Sequence, residues 1–308
     1  MAKSVLCIGA TLVDELYFCE DAIVPNSSNP AQKSTSIGGV ISNVIQHLAL
    51  LDINVSLITA LGSDNDATFI TSSFEKMGIA LGDSIVAEDS TGKYVSILNP
   101  DGTLNVAVCQ DISFKYITIP FLESKVDVMR HFDLIIIDTN LASNTIQWVI
   151  NFAKTNHLKL IIEPVSVPKA SKLADLNLDG VYMITPNEEE LLVMNSIEMK
   201  NEISSIDALH QRGVTKIWLR KGNQGSKIHE ENYVTALSVP HIKIIDSTGA
   251  GDAALAGWVY GYVHREEELA CLQLGHALAF EVLKIKGSVD FTINKERLYK
   301  IKNTYYHE

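Results

Sequence analysis

Residues 242–263 read IKIIDSTGAGDAALAGWVYGYV. The β-branched run up to Asp246 reads as a strand, and a helix of small and apolar residues follows the turn Thr248-Gly249-Ala250-Gly251-Asp252. Glycines at 249 and 251 let the backbone turn tightly and leave amide N–H groups free at the amino end of that helix. Both the free donors and the helix dipole favour an anion there, so the stretch is a cradle for an oxyanion or phosphate. Asp252 falls in the first helical turn beside it. An acid at that position steadies the dipole by about 0.3–1 kcal/mol. Next to bound phosphate it can also orient and deprotonate a substrate hydroxyl. A lone GxGD favours the first role, and its surroundings decide between the two.

Outward from this stretch, short apolar runs read as strands buried on both faces: Val5 to Ile8, Val55 to Thr59, Leu134 to Ile137, Leu158 to Ile162, Val181 to Ile184 and Lys216 to Leu219. Segments with helical spacing lie between them, at Ile41 to Leu51, Ala67 to Met77, Ser143 to Lys154, Glu188 to Asn195 and Ser204 to Arg212. The alternation predicts an α/β fold with a parallel sheet and helices on both faces. Asp83 to Gln110 breaks the pattern with short alternating strands, SIVAE, KYVSIL and LNVAV, joined by turns at Ser90 to Gly92 and Asn99 to Thr103. With residues near Glu15 to Ser36 these predict a small antiparallel sheet, readable as a lid, a dimer contact or a peripheral hairpin. No internal repeat, low-complexity tract or inter-domain linker interrupts the 308 residues, so one domain with an insertion is the economical organisation.

Composition narrows the function classes. Hydrophobic residues make up 46% and charged residues 20%, enough for a sizeable core and too little charge for a disordered chain. The formal charge of −12 argues against nucleic acid and against a polybasic membrane anchor, and points to a small-molecule partner. Cys7, Cys19, Cys109 and Cys271 are scattered without a CxxC pair and read as buried free thiols. The amino terminus is a poor secretory signal, and Ala253 to Val263 covers about half a bilayer. A cytoplasmic location is the expectation.

Four further places offer chemistry. Gly38-Gly39 precedes the helix containing Asn43, which suits either a helix start or a close approach to a ligand. Asp14 follows the first strand, where α/β sheets present ligands and a carboxylate grips hydroxyls. Pro186-Asn187-Glu188-Glu189-Glu190 opens a helix: Asn187 is a good N-cap, and Glu190 can organise water around magnesium. Arg220 to Ser226, RKGNQGS, is a hairpin turn or a Gly-rich loop near a nucleotide phosphate.

In this order the pieces resemble the ribokinase-like (pfkB) family of sugar and nucleoside kinases, over nearly the whole chain. The Asp246-Ser247-Thr248-Gly249-Ala250-Gly251-Asp252 segment is its most specific element, and the Walker-type GxxxxGK(S/T), which this family does not use, is absent. The resemblance implies a three-layer αβα domain spanning 1–308, with a mostly parallel central sheet and a β lid formed by about 15–36 and 83–110. It implies ATP-dependent phosphorylation of a primary alcohol with Mg2+. Asp252 then matches the catalytic base, and the amides of Gly249, Ala250 and Gly251 match the anion hole. Asp14, Gly39 and Asn43 match sugar-holding positions. Asn187, Lys221, Gly222, Gly225 and Thr248 match positions on the nucleotide side, Glu190 the magnesium-linked acid acting through water, and Asp246 a position tied in some members to an activating K+.

Tyr94-Val95-Ser96-Ile97-Leu98, Asp101-Gly102, Ala107 to Ser113, Asp138-Thr139-Asn140-Leu141 and Glu163-Pro164-Val165-Ser166 are similar to segments of the pseudouridine kinase branch. They imply transfer to the 5′-hydroxyl of pseudouridine, ahead of ribose, uridine, inosine or fructose. A homodimer through edge strands around Tyr94 to Val108 is the accompanying expectation. The competing class is a catalytically silent nucleoside sensor. A dinucleotide-dependent oxidoreductase is weaker, because no GxGxxG follows the first strand.

Overall fold

The computed structural model describes residues 4–195 and 201–306. β1 (Val5–Ile8) is buried along its length and ends at Gly9, beyond which the chain forms β2 (Leu12–Cys19) and β3 (Ala31–Gly38). α1 (Val40–Leu50) then leads to β4 (Val55–Ile58), which pairs with β1 in parallel. The short β5 (Ala60–Leu61) is followed by α2 (Asn65–Lys76), capped by the Asp64 carboxylate on the Ala67 N–H at 2.9 Å. β6 (Ile85–Val86) precedes the hairpin of β7 (Lys93–Leu98) and β8 (Leu104–Gln110).

The strand–helix alternation resumes with β9 (Leu134–Asp138), α3 (Ser143–Thr155), β10 (Lys159–Glu163), β11 (Met183–Ile184), α4 (Glu188–Val193), α5 (Glu202–Gln211) and β12 (Lys216–Arg220). β13 (Ser226–Glu230) and β14 (Tyr233–Leu237) follow, and α6 (Ala250–Val263), α7 (Glu268–Val282) and α8 (Lys295–Tyr306) complete the described chain.

The main sheet runs β14-β13-β12-β11-β10-β9-β1-β4, parallel from β4 to β12 and antiparallel across β13 and β14. Successive side chains along each strand enter opposite cores, as the two-residue period requires. Val5, Cys7, Leu134 and Ile136 pack with α1, α6 and α7, whereas Leu6, Ile8, Ile135 and Ile137 pack with α3 and α5. This gives three layers, helix–sheet–helix. α6 is apolar nearly all round because it is buried against both α1 and α7. It carries the apolar stretch Ala253 to Val263, and no helix among the described residues is long and apolar enough to cross a membrane.

A second sheet, β3-β2-β7-β8, stands apart from the first. Three expectations need correction here. The sheet is mixed, since β2 and β7 run parallel. The SIVAE segment is outside it, for Ile85–Val86 pairs with Ala60–Leu61 instead. β7, with Tyr94, lies between β2 and β8, so the edges are β3 and β8. Residues 242–246 also form no strand: they have no ladder partner, Ile244 and Ile245 are 55% and 56% exposed, and the Ile245 N–H goes to Leu283 O. Cys7, Cys19 and Cys271 are buried free thiols, but Cys109 is exposed on β8, where no layer covers it.

Candidate active site

The carboxyl ends of β1, β9, β10 and β12 bring Gly9, Asp138, Glu163 and Arg220 to one edge of the main sheet. α6 begins there at Gly249, with φ of 74° and no side-chain cap. A Cβ on Gly249 would lie 2.7 Å from the Ser288 backbone, so the left-handed turn and the close approach both demand glycine. The Ala250 N–H reaches Ser247 O at 3.3 Å, and the first full helical bond is Ala253 N–H to Gly249 O at 2.9 Å. Lightly occupied donors at a helix start suit an anion.

Asp252 is only 8% exposed. Its Oδ2 accepts the Asn43 Nδ2 at 2.8 Å, and Asn43 Oδ1 accepts the Ser288 hydroxyl at 2.9 Å, which sets the orientation of the amide. Burial, and then the charge of Glu163, push the Asp252 carboxyl up to about 8, against the opposing pull of Asn43 and Arg220. Asp14 lies beside the start of the helix that carries Asn43. Its carboxylate lies over Gly38, where a Cβ would sit 2.0 Å from Oδ1, and a Cβ on Gly39 would come within 2.4 Å of Ala10 O. Burial raises Asp14 to about 6. Strand register aligns Ser36, Asp14, Tyr94 and Cys109 in one row across the small sheet.

Asn187 and Glu190 form a complete capping box, Glu190 N–H to Asn187 Oδ1 at 2.8 Å and Asn187 N–H to Glu190 Oε2 at 2.9 Å. Glu190 is buried, and its carboxyl is raised by that burial and by Glu163. The Lys221 ammonium is paired with Glu202 at 2.7 Å and Glu188 at 3.1 Å. Gly222 and Gly225 shape the β12–β13 connection, where a Cβ on Gly225 would strike Leu237 O at 2.1 Å. Of the two readings of residues 220–226, the hairpin turn is present, and it leaves the nucleotide-side reading open. Beside it lies a depression of about 210 Å³ lined by Lys221, Gln224, Ser226 and Ser238. A larger one, about 510 Å³, opens by Thr215 and Glu230, at the other end of β12 from Arg220 and outside this constellation. Asp246 accepts the Thr248 N–H at 2.9 Å, the Thr248 hydroxyl at 2.7 Å and the Gly287 N–H at 3.1 Å, which hold its carboxyl below the usual range despite partial burial.

The fold therefore gathers Asp14, Gly39, Asn43, Asp252 and the 249–251 amides, with Asn187 and Glu190 joined through Arg220 and Glu163. Several neighbours that the sequence offered only inside longer segments take individual places at the site. Arg220 Nη2 donates to both Glu163 carboxylate oxygens at 2.7 Å and to Thr185 O, and the Thr185 hydroxyl donates to Glu163 Oε2 at 2.5 Å. Asp138, fully buried and pushed up to about 7, accepts the Asn140 side-chain amide at 2.8 Å, and Asn140 Oδ1 meets the Lys169 ammonium. The signal was available, because Asp138, Glu163 and Arg220 each directly follow a run of three or four buried apolar residues. Ser288 carried no local signal.

Comparison with known proteins decides the family, since the profile described as "pfkB family carbohydrate kinase" matches residues 2–294. The chain belongs to the pfkB family. It is a sugar or nucleoside kinase. Similar curated proteins include pseudouridine kinase of Escherichia coli, 27% identical over 83% of this chain and 84% of that protein. Cytidine kinase of Thermococcus kodakarensis is 25% identical over 93% and 98%. The fold is shared with Arabidopsis thaliana ribokinase in complex with ribose and ATP, with a TM-score of 0.85 at 18% identity over 98% of this chain and 99% of that one.

Proposed function

We propose that this pfkB kinase transfers the γ-phosphoryl group of ATP to the 5′-hydroxyl of pseudouridine. One observation carries the reading: a buried carboxylate, Asp252, oriented by Asn43 at the mouth of an amide cradle. Asp252 is the general base. Asn43 occupies one of its oxygens, so the other is left for the acceptor hydroxyl. The Gly249, Ala250 and Gly251 amides receive the phosphoryl charge, and catalysis is positioning with electrostatics. Asp14 and the Gly38-Gly39 backbone hold the ribose, and the Gly222–Gly225 loop and Thr248 flank the nucleotide.

Magnesium keeps most of its waters and needs few protein ligands. Glu190 fits that demand, with Oε2 closing the cap and Oε1 remaining for a hydrated ion. When bound, the ion neutralises triphosphate charge. For potassium the support is Asp246 alone, and ADP release from Mg·ATP in KCl against choline chloride decides the requirement.

Pseudouridine is favoured by the likeness to the E. coli pseudouridine kinase and by where the matching segments fall. Tyr94 stands in the row with Asp14, while Asp138, Asn140 and Glu163 border the site. The test is ADP release from Mg·ATP across pseudouridine, uridine, cytidine, inosine, ribose and fructose. Preference for pseudouridine, with kcat lowered about 10²–10⁴-fold by Asp252→Asn, is expected. Turnover of another acceptor overturns the substrate, and binding without turnover of any acceptor overturns the kinase in favour of a nucleoside sensor.

A further inference from the structure

We propose that Arg220 is a catalytic residue whose guanidinium binds the phosphoryl group in transfer over the Gly249–Gly251 cradle. The inference rests on the kinase reading above. Arg220 ends β12 at the edge of the sheet that carries the site. Its Nη2 edge is committed to Glu163 and Thr185, and Glu163 is itself only 4% exposed and fastened by the Thr185 hydroxyl. Its Nη1 edge lies against the cradle, 2.6 Å from where a Cβ on Gly251 would stand. The fork is thus held by one edge and offered by the other, the preorganised geometry that suits phosphate oxygens.

The charge balance points the same way. Asp252, Glu163, Glu190 and Asp138 crowd carboxyl groups at this edge of a chain of net charge −12. A triphosphate entering there needs a fixed cation, and Lys221 is already paired with Glu188 and Glu202. In the transfer, the acceptor oxygen bonds to the γ-phosphorus while the bond from that phosphorus to the bridging oxygen breaks. The electron pair leaves on ADP, and the acceptor proton passes to Asp252. A guanidinium already beside the cradle stabilises the peripheral oxygens without reorganising during the step.

The rival explanation is that Arg220 serves only as counter-ion to Glu163. Arg220→Met, Arg220→Ala and the double variant Arg220→Met/Glu163→Gln separate the two when assayed with the acceptor the wild type uses, alongside thermal unfolding. Arg220→Met is expected to lose about 10²–10³ in kcat, with a KM for the acceptor within about threefold of wild type. The double variant, which removes the Glu163 charge together with its partner, is expected to recover Tm while remaining as slow as the single. Added guanidinium is expected to raise kcat of Arg220→Ala and to do nothing for Asp252→Asn.

Recovery of turnover in the double variant would overturn the proposal. So would near wild-type kcat in Arg220→Met beside a dead Asp252→Asn, or absence of guanidinium rescue in folded Arg220→Ala. A wild type silent toward every acceptor would instead remove the kinase reading, and this inference with it.

Discussion

At Asp252 burial and the Glu163 charge outweigh the Asn43 hydrogen bond and the Arg220 charge, so the free enzyme keeps this carboxyl protonated up to about pH 8. A base must be ionised to accept a proton. kcat/KM is therefore expected to rise with pH and level off above about 8, and Asn43→Ala, which removes the donor favouring the carboxylate, is expected to move that rise to higher pH. A pH-independent kcat/KM between about pH 6 and 9 would contradict the assignment. The same shift affects stability with a definite sign. The unfolded chain loses this proton near its ordinary pKa of about 3.9, whereas the folded chain keeps it to about 8. Between those values folding takes up a proton, and this group's contribution to stability falls as pH rises. Calorimetry is expected to show a smaller drop in Tm from pH 5 to pH 8 in Asp252→Asn than in wild type.

Helix α6 depends on glycine for two separate reasons, and each yields a prediction. Gly249 starts the helix in the left-handed region with the Ser288 backbone where its Cβ would be. Gly249→Ala is expected to cost about 1–2 kcal/mol of stability from the backbone alone. It also displaces the cradle amides, so kcat should fall at least about tenfold; steady-state kinetics with denaturant unfolding reads both. Gly257 matters through contact alone: its Cβ would approach Leu274 O to 2.5 Å, which lets α6 and α7 meet closely. Gly257→Val is expected to lower stability by about 3 kcal/mol or more through overpacking, seen as a lower urea midpoint. Capping chemistry was legible at Asn187, whose box with Glu190 is complete in the fold. The helix start at Gly249 was legible too, since two glycines around a small residue carry their own conformational reason. The supposed strand before it was not, because a β-branched run becomes a strand only beside another strand that continues its ladder, and residues 242–246 find none, the Ile245 N–H going instead to Leu283 O.

Over the whole molecule, the small sheet leaves its β8 edge uncovered, with Leu104, Val106 and Val108 exposed by 55%, 48% and 64%. We propose that a second copy covers this strand, because an apolar edge invites pairing. Light scattering is expected to give twice the chain mass, and Val108→Asp to shift the protein toward monomer; a monomeric wild type at working concentration ends the idea. The sequence by itself determined the layered α/β plan, since runs such as Val5 to Ile8 and Leu134 to Ile137 are too apolar to face water on either side. It also marked the glycine turn and the helix start that carry Asp252, because glycine chemistry at a helix start is written in adjacent residues. What Asp252 touches was decided by tertiary structure alone. Asn43 lies 209 positions away and Ser288 reaches Asn43 across 245, and the Arg220–Glu163 clamp joins the ends of two strands separated in the sheet by β11. Such contacts arise from sheet order and side-chain register, which no local pattern encodes.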